Sequence, residues 1–276
     1  MINCEPNLGA VAAPNRSLYQ SVQTMSEEQS KFTLPPHPVL KGYYDDEHGR
    51  KKRVKQLFDS TASHYDWINS VMSFGTGERY RLEALERAGL REGLSVLDIG
   101  CGTGVLARHE MDVVGPRGSV LGVDPSRGML QQAVERGVTQ VAMGRGECLP
   151  IKDEQFDFLS MGYALRHVAD LSDAFSEYLR VLKPGGTVLL LEIAPPQSRI
   201  GYQFVKFYMK HVIPMITRFG TRDKNAQKLM SYYWDTVEQC VPPQLIIEAL
   251  ESVGFEKVER RVLFGVFGEY TAKRPE

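Results

Sequence analysis

Three glycines spaced one residue apart follow an acidic residue near the end of an apolar segment, in the sequence Ser95-Val-Leu-Asp-Ile-Gly-Cys-Gly-Thr-Gly104. The aliphatic residues before the glycines predict a buried parallel strand. Gly100, Gly102 and Gly104 allow the backbone to turn tightly and to approach a ligand without an intervening Cβ. This pattern is typical of a site for a nucleotide-like cofactor.

The spacing of the glycines indicates which cofactor fits. A dinucleotide-binding turn reads G-x-G-x-x-G and places a pyrophosphate on a helix N-terminus. Here the loop reads G-x-G-x-G and Asp98 lies just before it. An anion would repel a diphosphate, whereas it suits the cationic sulfonium ligand S-adenosylmethionine (SAM). The loop therefore favours SAM, and an NAD-dependent oxidoreductase is the weaker alternative.

A second apolar segment ends in an acid, in the sequence Ser119-Val-Leu-Gly-Val-Asp124. Asp124 follows Asp98 by 26 residues, which is about one strand–helix–strand step. An acid at the end of the second strand can accept hydrogen bonds from both ribose hydroxyls of an adenosine. The alternative is a cap for the helix that begins at Pro125-Ser126.

Composition describes an ordinary globular protein of 276 residues with a net charge of −1, which gives no indication of nucleic-acid binding. The four cysteines show no metal-ligand spacing and fit reduced thiols, so no metal is predicted. No apolar run approaches the ~20 residues of a membrane span, and the N-terminus lacks the features of a secretory signal. We therefore expect a cytoplasmic protein.

Strands alternate with helices after residue 95, at 95–99, 119–123, 138–143, 156–161 and 186–193. Such alternation predicts an α/β fold, with a mostly parallel sheet covered by helices on both faces. Residues 50–92 are predicted to be helical, with Val54, Leu57 and Phe58 on one apolar face. Lys183-Pro-Gly-Gly186 predicts a turn into the fifth strand, and Lys257–Phe264 with Val266–Ala272 predicts a closing hairpin.

Two segments depart from this pattern. Residues 1–45 form a polar N-terminal extension, with a short helix predicted over 16–31 that could dock on another subunit of a homo-oligomer. Residues 196–240 are rich in aromatic residues and predict helices inserted over the mouth of the sheet, where ligands of open α/β folds bind. We interpret this insertion as a lid for a hydrophobic small-molecule acceptor; the alternative is a set of ordinary core helices.

With these residues in view, the chain resembles the class I SAM-dependent methyltransferases, and within them the UbiE-type C-methyltransferases of ubiquinone and menaquinone synthesis. The resemblance extends from about Lys52 to the C-terminus. Its motifs are Phe58-Asp-Ser-Thr-Ala-Ser-His-Tyr-Asp66, Asn69 through Gly75, the glycine loop, Glu147-Cys-Leu-Pro150, Phe156-Asp157, Leu165-Arg166 and Arg180-Val-Leu-Lys-Pro-Gly-Gly186.

The resemblance implies a Rossmann-like fold with a seven-stranded, mostly parallel sheet and an antiparallel last strand, in a methyltransferase domain over 46–276. It also implies a SAM site. Tyr65 would lie near the methionine carboxylate, Asp98 near the amino end, and Gly146 with Glu147 beside the adenine. The full set of expected cofactor-binding residues is Tyr65, Asp98, Gly100, Cys101, Gly102, Gly104, Asp124, Pro125, Met129, Gly146, Glu147 and Met161.

The departures from the family fall where the acceptor would bind. The usual Phe-Gly-Leu-Arg-Asn is here Tyr163-Ala-Leu-Arg-His167. The resemblance implies methyl transfer to an electron-rich carbon of a prenylated quinone or related isoprenoid. A natural-product C-methyltransferase, in which methylation triggers cyclisation, and a catalytically silent SAM-binding scaffold are the alternatives.

Four residues are candidates for catalysis: Arg166, His167, Glu192 and Tyr202. Arg166 could hold an acceptor oxygen or form a structural ion pair, and His167 is a candidate base because its ordinary pKa lies near neutrality. Glu192 could be a base or a hydrogen-bond partner of the acceptor. The aromatic residues that could wall an isoprenoid pocket are Tyr163, Tyr202, Tyr208, Tyr232, Tyr233 and Trp234. Peripheral membrane contact through a basic face at Lys206, Lys210, Arg218, Arg222 and Lys224 is a weaker expectation than a solvated face.

Overall fold

In the computed structural model, which describes residues 33–72, 76–221 and 224–276, a seven-stranded sheet carries the strand order β3-β2-β1-β4-β5-β7-β6. β1 to β5 are parallel, and β7 is antiparallel to both β5 and β6. This confirms the predicted sheet and the closing hairpin. The strands are β1 (Ser95–Ile99), β2 (Ser119–Asp124), β3 (Val141–Met143), β4 (Phe156–Gly162), β5 (Leu182–Ile193), β6 (Glu256–Leu263) and β7 (Phe267–Lys273).

Helices cover both faces of the sheet, as the alternation predicts. In the described residues they are α1 (Glu47–Met72), α2 (Gly77–Arg87), α3 (Val105–Val114), α4 (Arg127–Glu135), α5 (Leu171–Val181), α6 (Arg199–Phe207), α7 (Ile213–Thr221), α8 (Lys224–Glu238) and α9 (Pro243–Ser252). A π-helical turn, Tyr208–Val212, joins α6 to α7. Alternate residues of β1 enter opposite cores: Leu97 and Ile99 pack with α5 and α9, whereas Val96 packs with α3.

The register of the central strands determines where the cofactor residues meet. Ile99 of β1 pairs with Val123 of β2. The backbone N–H groups of Gly100 and Cys101 then both donate to the Val123 carbonyl oxygen, at 2.7 and 3.1 Å. The glycine loop and Asp124 therefore leave the sheet side by side at its carboxyl edge.

The turn predicted at Lys183–Gly186 lies within β5 rather than before it. The pairing with β4 jumps from Phe156 opposite Leu182 to Phe158 opposite Thr187, so the extra residues form an irregularity in the strand. Gly185 has a φ of +73° there, a conformation that glycine adopts without strain. The Pro-Gly-Gly sequence does bend the backbone, as predicted, but β5 is paired with β4 on both sides of the bend.

The described end of the N-terminal extension packs on the domain. The N–H of Leu34 donates to Asp170 Oδ2 at 2.6 Å, and Leu40 and Tyr44 are buried among residues of α8. Residues 33–276 belong to one compact unit. The helix predicted over 16–31 lies outside the described residues, and the boundary at residue 45 stays a prediction.

Candidate functional site

A cavity of about 360 Å³ opens at the carboxyl ends of β1, β2 and β4. Most of the cofactor-binding residues expected from the sequence line it: Tyr65, Gly100, Gly102, Asp124, Pro125, Met129, Gly146, Glu147 and Met161. The residues predicted from the sequence to bind the cofactor therefore lie around one cavity, which we call the cofactor cavity. Helix α1 adds lining residues that were not predicted, among them Arg50 and Lys55.

The glycine loop brings its backbone unusually close to the loop that follows β4. Gly100 has a φ of +65°, and a Cβ added to it would lie 2.6 Å from the Cβ of Ala164. No side chain fits between these two loops without displacing one of them. The absence of a Cβ at Gly100 thus shapes the floor of the cofactor cavity.

Asp98, Cys101 and Gly104 lie outside the lining of the cofactor cavity. Gly104 supports close packing instead, because an added Cβ would lie 2.7 Å from Val138 Cγ2. Cys101 is buried against Gly122 of β2, and burial raises the pKa of its thiol well above the ordinary value, which suits a packing residue. Direct contact of these three residues with SAM stays a prediction.

The carboxylate of Asp98 is fully buried and lies near a second acid, Glu110 of α3. Ser160 Oγ joins them, at 2.5 Å from Glu110 Oε1 and 3.5 Å from Asp98 Oδ1. Burial raises the pKa of Glu110 to about 7. Burial, and then the charges of Glu110 and Asp124, raise the pKa of Asp98 well above its ordinary value. This acid pair lies behind the glycine loop, where the raised pKa values favour its protonated forms, so it does not by itself supply the anion that the sequence suggested for a cationic ligand.

Of the two acids at strand ends, Asp98 and Asp124, it is Asp124 that reaches the cofactor cavity. Its Oδ2 accepts a hydrogen bond from the Gly102 N–H at 2.9 Å, and its Oδ1 accepts one from the Ser126 N–H at 2.8 Å. Ser126, rather than Asp124, caps α4, because its Oγ accepts from the Met129 N–H at 3.1 Å. Burial raises the pKa of Asp124 to about 6. A buried carboxylate in the cavity wall fits the ribose hydroxyls of SAM.

Two acids seven residues apart on α1 hold this helix over the cofactor cavity. Asp59 accepts hydrogen bonds from Ser126 Oγ at 2.6 Å and from the Gly128 N–H at 3.1 Å. Asp66 accepts a hydrogen bond from Thr103 Oγ1 at 2.5 Å and pairs with Arg136. The apolar face predicted from the spacing of Val54, Leu57 and Phe58 packs on one hydrophobic cluster, with Leu57 buried in it and the other two against it. Val54 and Phe58 also line the cofactor cavity.

A second cavity, of about 700 Å³, lies between α2, the lid helices and the β6–β7 hairpin; we call it the acceptor cavity. Its surface is dominated by aromatic side chains, namely Tyr80, Tyr163, Phe204, Tyr208, Tyr233, Trp234, Phe264 and Phe267. Of the aromatic residues expected to wall an isoprenoid pocket, Tyr163, Tyr208, Tyr233 and Trp234 line this cavity, whereas Tyr202 and Tyr232 lie outside its lining.

Tyr163 lines both cavities and marks the place where they meet. Its backbone has a φ of +61°, which is rare for a residue with a side chain, and its N–H donates to the Leu191 carbonyl oxygen at 2.7 Å. Strained backbone of this kind concentrates at functional sites. The position follows β4 directly, where the sequence departs from the family's usual phenylalanine.

Arg166 and Glu192 contact one another rather than either cavity. Arg166 Nη1 lies 2.5 Å from Glu192 Oε1, and its Nε donates to Thr236 Oγ1 at 3.1 Å. The guanidinium carbon lies 4.0 Å from the ring centroid of Tyr233, which does line the acceptor cavity. Both charged groups are buried, so this geometry is that of the structural ion pair rather than of a residue that holds an acceptor oxygen.

His167 is the one candidate for catalysis that lines a cavity within the described residues, and it lines the cofactor cavity. Its ring stacks on Tyr232 at 5.7 Å and meets the edge of Phe58 at 5.2 Å. Burial, and then the charge of Arg166, lower the pKa of His167 well below its ordinary value. Tyr202 lines neither cavity, and its hydroxyl donates to Glu238.

The basic face of the lid is largely neutralised where its side chains are described. Lys206 pairs with Glu238 at 2.5 Å, and Lys210 pairs with Asp235 at 3.2 Å. The other three basic residues predicted for this face have side chains outside the described set. No helix in the described residues is both long and apolar enough to cross a membrane.

Comparison with known proteins agrees with this geometry. The family model described as the ubiE/COQ5 methyltransferase family matches residues 46–273. A demethylmenaquinone methyltransferase of Symbiobacterium thermophilum is 33% identical over 83% of this chain and 91% of its own length. The ubiquinone/menaquinone biosynthesis C-methyltransferase UbiE of Geobacter sulfurreducens is 31% identical over 81% of this chain and 89% of its own length.

Among solved structures, a SAM-dependent methyltransferase of Thermotoga maritima, described as a possible histamine N-methyltransferase, has the same fold. Its TM-score is 0.58 at 21% identity, over 79% of this chain and 98% of that one. This similarity supports the Rossmann-like architecture that the alternation of strands and helices predicted.

Proposed function

Since this chain belongs to the ubiE/COQ5 methyltransferase family, we propose that it transfers a methyl group from SAM to a ring carbon of a prenylated quinol. The enzyme is a SAM-dependent methyltransferase. Our proposal adds to this activity that the methyl group goes to carbon and that the acceptor is a prenylated aromatic ring.

The meeting of the two cavities at Tyr163 carries the proposal. The cofactor cavity holds the glycine loop and Asp124, whereas the acceptor cavity is larger and mostly aromatic. In-line methyl transfer needs donor and acceptor to approach end to end in a site that excludes water. Tyr163 is the residue past which the acceptor would reach the methyl group.

The outer end of the acceptor cavity suits a long apolar substituent. Phe204 of α6 and Phe264 at the β6–β7 turn both line the cavity, yet they are 70% and 85% exposed. Exposed aromatic side chains at a cavity mouth are unfavourable unless something covers them. An isoprenoid chain leaving the cavity would cover both rings.

The relatives support the choice of acceptor. The Symbiobacterium thermophilum protein is named for demethylmenaquinone methylation and the Geobacter sulfurreducens protein for C-methylation in ubiquinone and menaquinone biosynthesis. Each is matched over most of its length by this chain.

SAM, when bound, supplies an electrophilic methyl group on a positively charged sulfur. Asp124 would hold the ribose, and the glycine loop would hold the amino-acid end. The ring carbon that gains the methyl group must lose its hydrogen as a proton. His167 is the candidate acceptor for it, because its imidazole lines the cofactor cavity. Burial lowers its pKa, so the imidazole is neutral at neutral pH and a weaker base than a free histidine.

The proposal is tested with SAM carrying a ¹³C-labelled methyl group and a short-chain demethylmenaquinol under reducing conditions. Mass spectrometry should find the product heavier by one labelled methyl group, and carbon NMR should place the label on the ring carbon. A label on oxygen would contradict C-methylation. If the quinol gives no product but a prenylated indole or phenol is methylated, the natural-product alternative is favoured. If no acceptor is methylated, the silent scaffold is favoured.

A pair of variants separates the acceptor cavity from the rest of the protein. Val205→Trp fills space in the acceptor cavity, which Val205 lines from α6. It should reduce turnover of the quinol while SAM affinity, measured by calorimetry, stays unchanged. Val134→Trp is the matched control, because Val134 lies on α4, is 54% exposed and lines neither cavity.

A further inference from the structure

Arg81 of α2 is a cation in the acceptor cavity, and none of the described side chains is an acidic partner for it. It lines this cavity, and its guanidinium carbon lies 5.2 Å from the ring centroid of Tyr163. No carboxylate whose side chain the structure describes forms an ion pair with it. A half-buried arginine in an apolar cavity is therefore available to a ligand.

The arginines around Arg81 are already paired. Arg79 Nε lies 2.8 Å from Glu83 Oε1, and Arg87 Nη2 lies 2.6 Å from Glu269 Oε1. Arg166 is paired with Glu192 in the interior. Each of the other described arginines of α2 and of the β4–α5 loop therefore forms an ion pair with a nearby acid, whereas Arg81 does not.

The contact with Tyr163 places the guanidinium at the inner end of the acceptor cavity. Tyr163 is the residue shared by the two cavities, so a group held by Arg81 lies near the cofactor cavity rather than at the exposed mouth. The guanidinium lies over the face of the Tyr163 ring, within the range of a cation–π contact. The planar guanidinium carries several N–H donors, which favours recognition of an oxygen atom.

We propose that Arg81 binds the acceptor's ring oxygen as an oxyanion and thereby selects aromatic acceptors with a free hydroxyl next to the methylated carbon. This rests on the proposed function, and it names the feature of the acceptor that the enzyme recognises. On binding, the hydroxyl gives its proton to water, and the oxyanion accepts hydrogen bonds from the guanidinium, which stays protonated throughout. An oxyanion donates electron density to the adjacent ring carbon, so the carbon that attacks the methyl group becomes a stronger nucleophile.

The charge of the cavity favours a single negative charge. One unpaired guanidinium neutralises a phenolate or naphtholate, whereas a prenyl diphosphate carries several charges and would need further cations. Of the described residues that line the acceptor cavity, the other arginine is Arg79, which is paired with Glu83. The remaining lining is mainly apolar, where an uncompensated phosphate charge is costly.

The first experiment compares two acceptors in the wild-type protein and in Arg81→Gln. The acceptors are the short-chain demethylmenaquinol and its methyl ether at the oxygen next to the methylated carbon. Wild-type kcat/KM should favour the free hydroxyl by about 10- to 100-fold, the range expected for a charge-assisted hydrogen bond. Arg81→Gln should lose most of this preference through KM, and Arg81→Lys should restore part of it. SAM affinity should not change.

The second experiment needs no turnover. A 2-methyl-3-prenyl-1-naphthol, in which the target carbon already carries a methyl group, is titrated with base while bound to the protein, and the absorbance of the naphtholate is followed. The wild-type protein should bind the naphtholate and lower the pKa of the bound naphthol, and Arg81→Gln should not. Arg117→Gln is the control, since Arg117 pairs with Glu92 at 3.0 Å, is 76% exposed and lines neither cavity.

The outcomes separate the two proposals. If Arg81→Gln keeps the preference for the free hydroxyl, or if the bound naphthol titrates alike in both proteins, the role of Arg81 is wrong. Tighter binding of a prenyl diphosphate than of the naphthol, dependent on Arg81, would also overturn it. If the wild-type protein methylates neither quinol yet lowers the pKa of the naphthol through Arg81, the proposed function fails and the oxyanion site stands.

Discussion

The carboxylate of Asp124 accepts a hydrogen bond from the Gly102 N–H at 2.9 Å, which joins the acid at the end of β2 to the glycine loop 22 residues earlier. The loop and the acid therefore hold each other in place at the edge of the sheet. Protonation of Asp124 would remove an acceptor from the loop and from the ribose at once.

SAM affinity should consequently depend on pH. Burial raises the pKa of Asp124 to about 6, so below that pH the free protein carries a neutral acid, whereas the ribose hydroxyls need the carboxylate. Affinity should be constant above pH 6 and fall about tenfold for each further pH unit of acidification. Calorimetry between pH 5 and 8 measures this. Asp124→Asn should bind weakly at every pH; a wild-type affinity without this fall would exclude the assignment.

Gly100→Ala tests the close approach of the two loops. The new Cβ would lie 2.6 Å from the Cβ of Ala164 at a φ of +65°, so both crowding and backbone strain act. We expect unfolding to become easier by about 2–4 kcal/mol and SAM binding to weaken. Gly93→Ala is the control, because its φ is +85° and the added Cβ meets nothing within 4 Å. Equal effects in urea titrations of the two variants would show that crowding plays no part.

Arg166→Met distinguishes a structural ion pair from an acceptor-binding residue. Removal of Arg166 leaves the Glu192 carboxylate buried without its cation, which costs about 3–5 kcal/mol of unfolding free energy. Arg166→Met combined with Glu192→Leu should recover much of this loss, because no charge stays buried. Denaturation midpoints and slopes give the comparison. Full stability of Arg166→Met with loss of turnover alone would instead place Arg166 in contact with the acceptor.

Glu110→Gln tests the buried acid pair behind the glycine loop. The unfolded chain releases the Glu110 proton near pH 4.5, whereas burial holds it until about pH 7 in the folded chain. This group therefore stabilises the fold most below pH 4.5, and its contribution falls as the pH rises to 7, by on the order of 3 kcal/mol. Glu110→Gln keeps an acceptor for Ser160 and should be more stable than wild type at pH 8. An identical pH profile of stability in both proteins would contradict this.

The lining of the cofactor cavity could be predicted because it depends on local patterns. The glycine spacing and the acids at 98 and 124 lie at strand ends, and the carboxyl edge of a parallel sheet brings strand ends together. Asp98 shows the limit of that reasoning. A strand alternates its side chains between faces, and the position of Asp98 on β1 turns its carboxylate toward Glu110 of α3 rather than into the cavity.

The acceptor half depends on contacts between distant segments, and the sequence indicated only its composition. Arg81 sits on a helix whose pattern reads as a charged surface, and its significance comes from the absence of a described acidic partner and from Tyr163, 82 residues later. Arg166 and Glu192 were candidates because each ends or follows a strand; their burial against one another could not be seen from spacing. Whole-chain packing decides such cases.

The placement of Tyr163 at the junction of the cavities also orders the assembly of the site during synthesis. The last lining residue of the cofactor cavity is Ala169, whereas the acceptor cavity needs Phe267, near the end of the chain. During translation, all residues that line the cofactor cavity are therefore synthesised well before the β6–β7 hairpin that closes the acceptor cavity. Until β6 and β7 have been synthesised, Tyr163 and its neighbour Arg81 lack the hairpin that covers this side of the acceptor cavity. The aromatic surface around them is therefore a site at which the nascent chain is prone to aggregate.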